Sequence, residues 1–146
     1  MDNRHRFSIF FIIAGLLMSI PSFGQEAEQH NPDLKFAQVL FVTAIDRGNS
    51  GWTFETKVRH ADEGWDHYAH LWEVVDPESE TVLGRRELLH PHVNEQPFVR
   101  SLSGVSIPQD VKTVIVRAKC NKHGFEGKQV LLDLSASGGE DYTVKR

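Results

Sequence analysis

Apolar and polar residues alternate along most of this chain with the period of two that marks β-strands. Val39, Phe41, Thr43 and Ile45 interleave with Gln38, Leu40, Val42 and Ala44, a strand apolar on both faces. Asp46-Arg47-Gly48-Asn49-Ser50-Gly51 reads as a turn. Trp52, Phe54, Thr56 and Val58 then alternate with Thr53, Glu55, Lys57 and Arg59 in a half-buried strand that ends at His60. A third strand is predicted from His67 to Val75, with Tyr68, His70, Trp72 and Val74 on one face. Asp76-Pro77 ends it, because proline cannot donate to a sheet ladder. Further strands are predicted at Thr81–Leu89, with Arg85 and Arg86 guarding an edge, and at Phe98–Val105, interrupted by Gly104. The last two are Thr113–Cys120 and Val130–Leu134. About seven strands with a turn signal roughly every ten residues predict an all-β, immunoglobulin-like two-sheet antiparallel sandwich over 35–135. Trp72 falls where such sandwiches often bury a tryptophan.

The two ends read differently. Arg4, His5 and Arg6 precede an apolar run, Phe7–Ile20, which is too short for a comfortable membrane span. Pro21 breaks the run, and Ser22-Phe23-Gly24 supplies small residues at a cleavage site. Residues 1–24 are therefore expected to be a signal peptide, 25–34 a flexible lead-in, and 136–146 a polar tail with a short strand at Tyr142–Val144. No cysteine follows the apolar run, so no lipid attachment is expected there.

Export limits the chemistry. Loss of Asp2, Arg4 and Arg6 with the signal takes the net charge from −4 to −5. An acidic chain without a basic cluster argues against nucleic acid and anionic membrane surfaces as partners. Cys120 is the only cysteine, so no internal disulfide holds the fold. The expected setting is periplasmic or secreted, with no stable membrane insertion after cleavage.

The eight histidines are the unusual feature. If successive strands run up and down, His60 and His67, the pair His90 and His92, and Cys120 with His123 all reach one pole of the sandwich. Imidazole offers a lone pair near neutral pH, and several imidazoles with one thiolate suit copper, zinc or iron. The candidate ligands are His60, His67, His90, His92, His123 and Cys120. Asp62, Glu63, Asp66 and Glu95 are candidate ligands or acceptors for imidazole N–H groups. Bland readings stand beside these. A histidine at a strand end is ordinarily a solvated loop residue. His70, sharing a face with Tyr68 and Trp72, reads as a packing residue. Cys120 shares the face of Val114, Val116 and Ala118 and suits an inert buried thiol. Glu95 and Arg100 suit a structural ion pair.

Two resemblances follow from these residues. The run Gly64-Trp65-Asp66-His67-Tyr68-Ala69 with Trp72, the run His90 to Val105 (HPHVNEQPFVRSLSGV), and His123-Gly124 resemble a group of small exported bacterial proteins of unassigned function. That resemblance covers most of the chain and implies no activity. More locally, His60 followed by His67-Tyr68, and Cys120-Asn121-Lys122-His123-Gly124, look like the iron-ligand segments of superoxide reductases. This second resemblance implies an immunoglobulin-like fold and His60, His67, Cys120 and His123 as ligands. The His60–His67 spacing is one residue longer than that family's, and no upstream loop with its further histidine and catalytic lysine is identified.

The expectation is an exported sandwich that binds one transition-metal ion at a histidine-rich pole, with a metal-handling or redox role. The pattern fits a binding protein better than an enzyme. The alternatives are an interaction module that contacts an envelope protein without metal, and a redox enzyme of the superoxide reductase kind.

Overall fold

A computed structural model of the protein describes residues 32–146. The expected signal peptide and most of the lead-in lie outside the described residues. Among the described residues, nine strands form two sheets: β1 (Gln38–Asp46), β2 (Trp52–Arg59), β3 (Ala69–Val75), β4 (Val82–Glu87), β5 (Phe98–Val105), β6 (Thr113–Cys120), β7 (Val130–Asp133), β8 (Gly138–Gly139) and β9 (Tyr142–Lys145). One sheet has the order β5-β2-β1-β9-β8 and the other β4-β3-β6-β7. All pairings are antiparallel except β1 with β9. The result is the expected immunoglobulin-like sandwich. Among the described residues, no helix is long and apolar enough to cross a membrane.

The alternation seen in the sequence becomes the core. Val39, Val42, Ala44, Phe54 and Val58 from one sheet meet Trp72, Val74, Val114, Val116, Ala118 and Leu132 from the other, all buried. Burying an apolar side chain of this size contributes about 1.5–3 kcal/mol, which lets the domain stand without a disulfide. Trp72 is wholly inside, as its position predicted.

The short strand expected at Tyr142–Val144 in the polar tail forms as β9, which pairs with β1 and carries the additional β8 at its other side. Two departures from strict alternation matter. The third strand begins at Ala69 rather than His67, and its pairing with β6 shifts register between Ala69 and Leu71. Ala69 and Trp72 are thus both buried although three residues apart, and His70 is half-buried at the irregularity rather than continuing the Trp72 face. A second irregularity lies between Val39 and Phe41 in β1.

On the outer face of the second sheet, the buried carboxylate of Glu73 receives Arg85 at 2.7 Å and Arg117 at 3.0 Å. The expected Glu95–Arg100 ion pair forms at 2.9 Å.

Candidate metal centre

Each wall of the histidine-rich pole is set by local backbone chemistry. β2 ends at His60. Beyond it, Gly64 adopts φ 121°, a conformation side chains rarely take, and closes a tight turn in which His67 N–H donates to Gly64 O. That turn puts the His67 ring back beside His60, with ring centroids 4.7 Å apart. Opposite, Cys120 and Gly124 pair across a short loop, with Gly124 at φ 66°. The loop lays His123 beside His67 at 4.9 Å between centroids.

Asn121 joins the two walls. Its backbone N–H donates to Tyr68 O, its Oδ1 accepts from Tyr68 N–H at 3.0 Å, and its Nδ2 donates to Trp65 O and Asp66 O. The asparagine following Cys120 therefore ties the cysteine loop to the His67 turn.

Four side chains converge on one backbone atom, the carbonyl oxygen of Lys35. His60 Nε2 lies 3.0 Å from it, His67 Nε2 3.3 Å, His123 Nδ1 3.1 Å and Cys120 Sγ 3.6 Å. Ligand atoms of His60, His67 and Cys120 lie within 4.8 Å of one another, and all three residues are buried. His123 Nδ1 is 3.5 Å from the Cys120 sulfur, and the His123 backbone N–H donates to that sulfur at 3.2 Å. The segment bearing Lys35 is anchored by Ala61 N–H to Leu34 O and by Phe36 N–H to Asp33 O, and Phe36 packs edge-on against the His123 ring.

Carboxylates stand behind two of the rings. Asp62 Oδ1 is 2.6 Å from His60 Nδ1, with neither side chain exposed. Glu63 Oε2 is 3.5 Å from His67 Nδ1. Burial pushes the Asp62 carboxyl up, but hydrogen bonds from His60, His92 N–H and Ala69 N–H outweigh it and hold Asp62 below the usual carboxylate range. His60 Nδ1 thus faces Asp62, and the opposite nitrogen, Nε2, faces the centre of the cluster.

The other candidate ligands do not join this group. His92 is buried and stacks on Phe98, with centroids 3.9 Å apart and planes 12° from parallel. Neither of its ring nitrogens has a hydrogen-bond partner among the described residues. Burial holds its pKa below the ordinary 6.5, reinforced by the nearby charges of Arg100 and His90 and opposed by Asp62 and Glu95. His90 is exposed and lies against His92 at 4.5 Å. His92 approaches the cluster through Asp62, which accepts its backbone N–H at 2.7 Å. Among the remaining acidic candidates, Glu95 pairs with Arg100 and Asp66 is exposed. The Lys35 carbonyl had no sequence signal, because every residue carries one.

No protein-family model matches the chain, and no solved structure matches it. A protein of Halomicrobium mukohataei described as "Putative lipoprotein" is 36% identical over 108 residues, covering 74% of this chain. The chain spans about half (52%) of the length of that relative. None of these comparisons points to a superoxide reductase.

Proposed function

We propose that this exported protein binds one transition-metal ion through His60, His67, His123 and Cys120, for a metal-handling or redox role. The observation that carries this reading is the crowding at Lys35 O. A carbonyl oxygen has two lone pairs, yet four metal-ligating side chains are aimed at it. Two rings also keep a carboxylate at the nitrogen facing away, the arrangement that orients metal-ligating histidines. Lone pairs turned toward one another are stabilised by a cation among them. Ligands set tetrahedrally around one ion, with bonds of about 2.0–2.3 Å, lie about 3.3–3.8 Å apart. His123 Nδ1 is 3.5 Å from the Cys120 sulfur, and the ligand atoms of His60, His67 and Cys120 lie within 4.8 Å of one another. Three imidazoles and a thiolate suit copper, zinc or iron, and copper or iron would add redox chemistry. The likeness to a protein named as a lipoprotein supports an envelope-associated setting.

The test is metal content. The mature protein, purified without a histidine tag and supplied with copper, zinc or iron, takes up one ion, and His67→Ala/His123→Ala does not. No uptake by the wild type overturns the reading.

A second reading has its own observation. Trp65, Leu89 and Val93 are large, exposed apolar residues in the loops that also carry the histidines. Exposed apolar side chains of this size suit contact with an envelope protein. Trp65→Ser/Leu89→Ser then abolishes capture of that protein without changing metal uptake.

A further inference from the structure

Asp62 has more partners than the support of one ligand requires. Its side chain is shut off from solvent. Oδ1 accepts from His60 Nδ1 at 2.6 Å and from the Ala69 backbone N–H at 3.0 Å. Oδ2 accepts from the His92 backbone N–H at 2.7 Å. These donors come from the end of β2, the start of β3 and the loop that carries His90 and His92. Ala69 is itself the register partner of Cys120. One carboxylate thus bonds the walls of the pole together and acts on the cluster through His60.

We propose that Asp62 is the positioning residue of the centre: it fixes the His60 proton on Nδ1, keeps the Nε2 lone pair turned into the cluster, and couples the His90–His92 loop to the metal. The proposal rests on the metal-binding reading above. A carboxylate suits this place because the three groups hydrogen-bonded to it are donors, with the His92 ring Nδ1 3.9 Å from Oδ2. Asparagine has the same shape, but its NH₂ group opposes the His92 N–H if it takes the place of Oδ2, and opposes both His60 Nδ1–H and the Ala69 N–H if it takes the place of Oδ1. The second orientation is the favoured one, because moving the His60 proton to Nε2 turns Nδ1 into an acceptor for the NH₂ and gains a bond to Lys35 O. One backbone N–H is then left opposed in either case. The moved proton closes the nitrogen to metal. The His92 ring, buried beside Phe98, gives the loop a rigid hold on Oδ2 through its backbone N–H.

The experiment reads the His60 ring directly by ¹⁵N spectroscopy of protein labelled at histidine, with diamagnetic zinc(II) as the ion for the spectra and cobalt(II) as the ion for affinity. In the metal-free wild type at pH 7.5, His60 carries its proton on Nδ1. Zinc then attaches at Nε2 and leaves the Nδ1 proton in place. In Asp62→Asn the proton moves to Nε2, and cobalt affinity falls by about 10–100-fold. Several results overturn the proposal: a wild-type His60 without a proton on Nδ1, zinc bound at Nδ1, or Asp62→Asn with an unchanged His60 ring. A lost affinity with an unchanged ring means Asp62 acts only by holding the fold. A moved proton with affinity within threefold of wild type means the ring orientation does not matter to the metal. Should Asp62→Asn fail to fold, the wild-type proton and zinc positions decide. A wild type that takes no cobalt removes the metal reading and this proposal together. A misplaced His60 proton in protein that does bind cobalt removes this proposal alone.

Discussion

The backbone N–H of His123 donates to the sulfur of Cys120 at 3.2 Å. One five-residue loop thus fixes the direction of the sulfur and delivers the imidazole beside it. If both are ligands, a cobalt-loaded protein shows a thiolate-to-metal charge-transfer band in the near ultraviolet. Cys120→Ser removes that band and weakens binding, while the three imidazoles still retain cobalt at higher concentration. A band that survives the substitution would assign the sulfur no part in the site.

His90 and His92 are expected to have separate and unequal effects. His90 is exposed, and His90→Ala should change stability by less than about 0.5 kcal/mol. His92→Ala empties the place stacked on Phe98 and should cost about 2–3 kcal/mol. Both variants keep one metal ion per chain. Urea denaturation and metal analysis of the two proteins check this, and loss of the ion in His90→Ala would return that residue to the ligand set.

Stability of the metal-free protein should fall with pH from about 6.5 downward. Burial lowers the pKa of His92, and also that of His70, where Lys119 and Arg85 add to the effect and Glu87 opposes it. The unfolded chain takes up protons near pH 6.5 that these folded rings refuse, so protonation favours unfolding as pH drops. The loss grows until pH passes below the folded pKa values. His92→Phe keeps an aromatic ring on Phe98 and should flatten the stability profile between pH 6.5 and 5. An unchanged slope would mean that His92 does not contribute to it.

Gly127 guards the approach of the segment that carries Lys35. A Cβ at this position would run into the carbonyl oxygen of Ala37, two residues beyond Lys35. The obstacle is backbone, so the chain itself must move. Gly127→Ala should cost about 1–3 kcal/mol and weaken metal binding by shifting the anchored segment. Thermal unfolding with a cobalt titration checks both, and wild-type behaviour in both would show that the segment gives way freely.

Much of this arrangement could be read from residue order. Period-two alternation located the core strands, and Trp72 took its expected buried place. Up-and-down counting put His60, His67, Cys120 and His123 at one pole, where their side chains meet. Alternation could not register the irregularity at His70, because a bulge depends on how the partner strand pairs. Nor could it separate His92 from the cluster. His92 shares the pole, but its ring direction is set by stacking on Phe98, a contact between positions whose strand and loop meet only in the fold. The tail strand expected at Tyr142–Val144 formed as β9, while its partner β8 was hidden because Gly138 and Gly139 carry no alternating side chains. The Lys35 carbonyl was invisible because no side chain marks it. Asn121 was visible as a letter, while its role as the tie between two loops required geometry.

The proposed site holds one ion through His60, His67, His123 and Cys120. Titrating cobalt(II) into the tag-free protein and following the visible ligand-field bands measures this. Saturation is expected at one equivalent, with tight binding lost in His60→Ala, His67→Ala and His123→Ala and kept in His90→Ala. A wild-type protein that develops no such bands at stoichiometric cobalt, or one whose bands are unaffected by His67→Ala/His123→Ala, would contradict it.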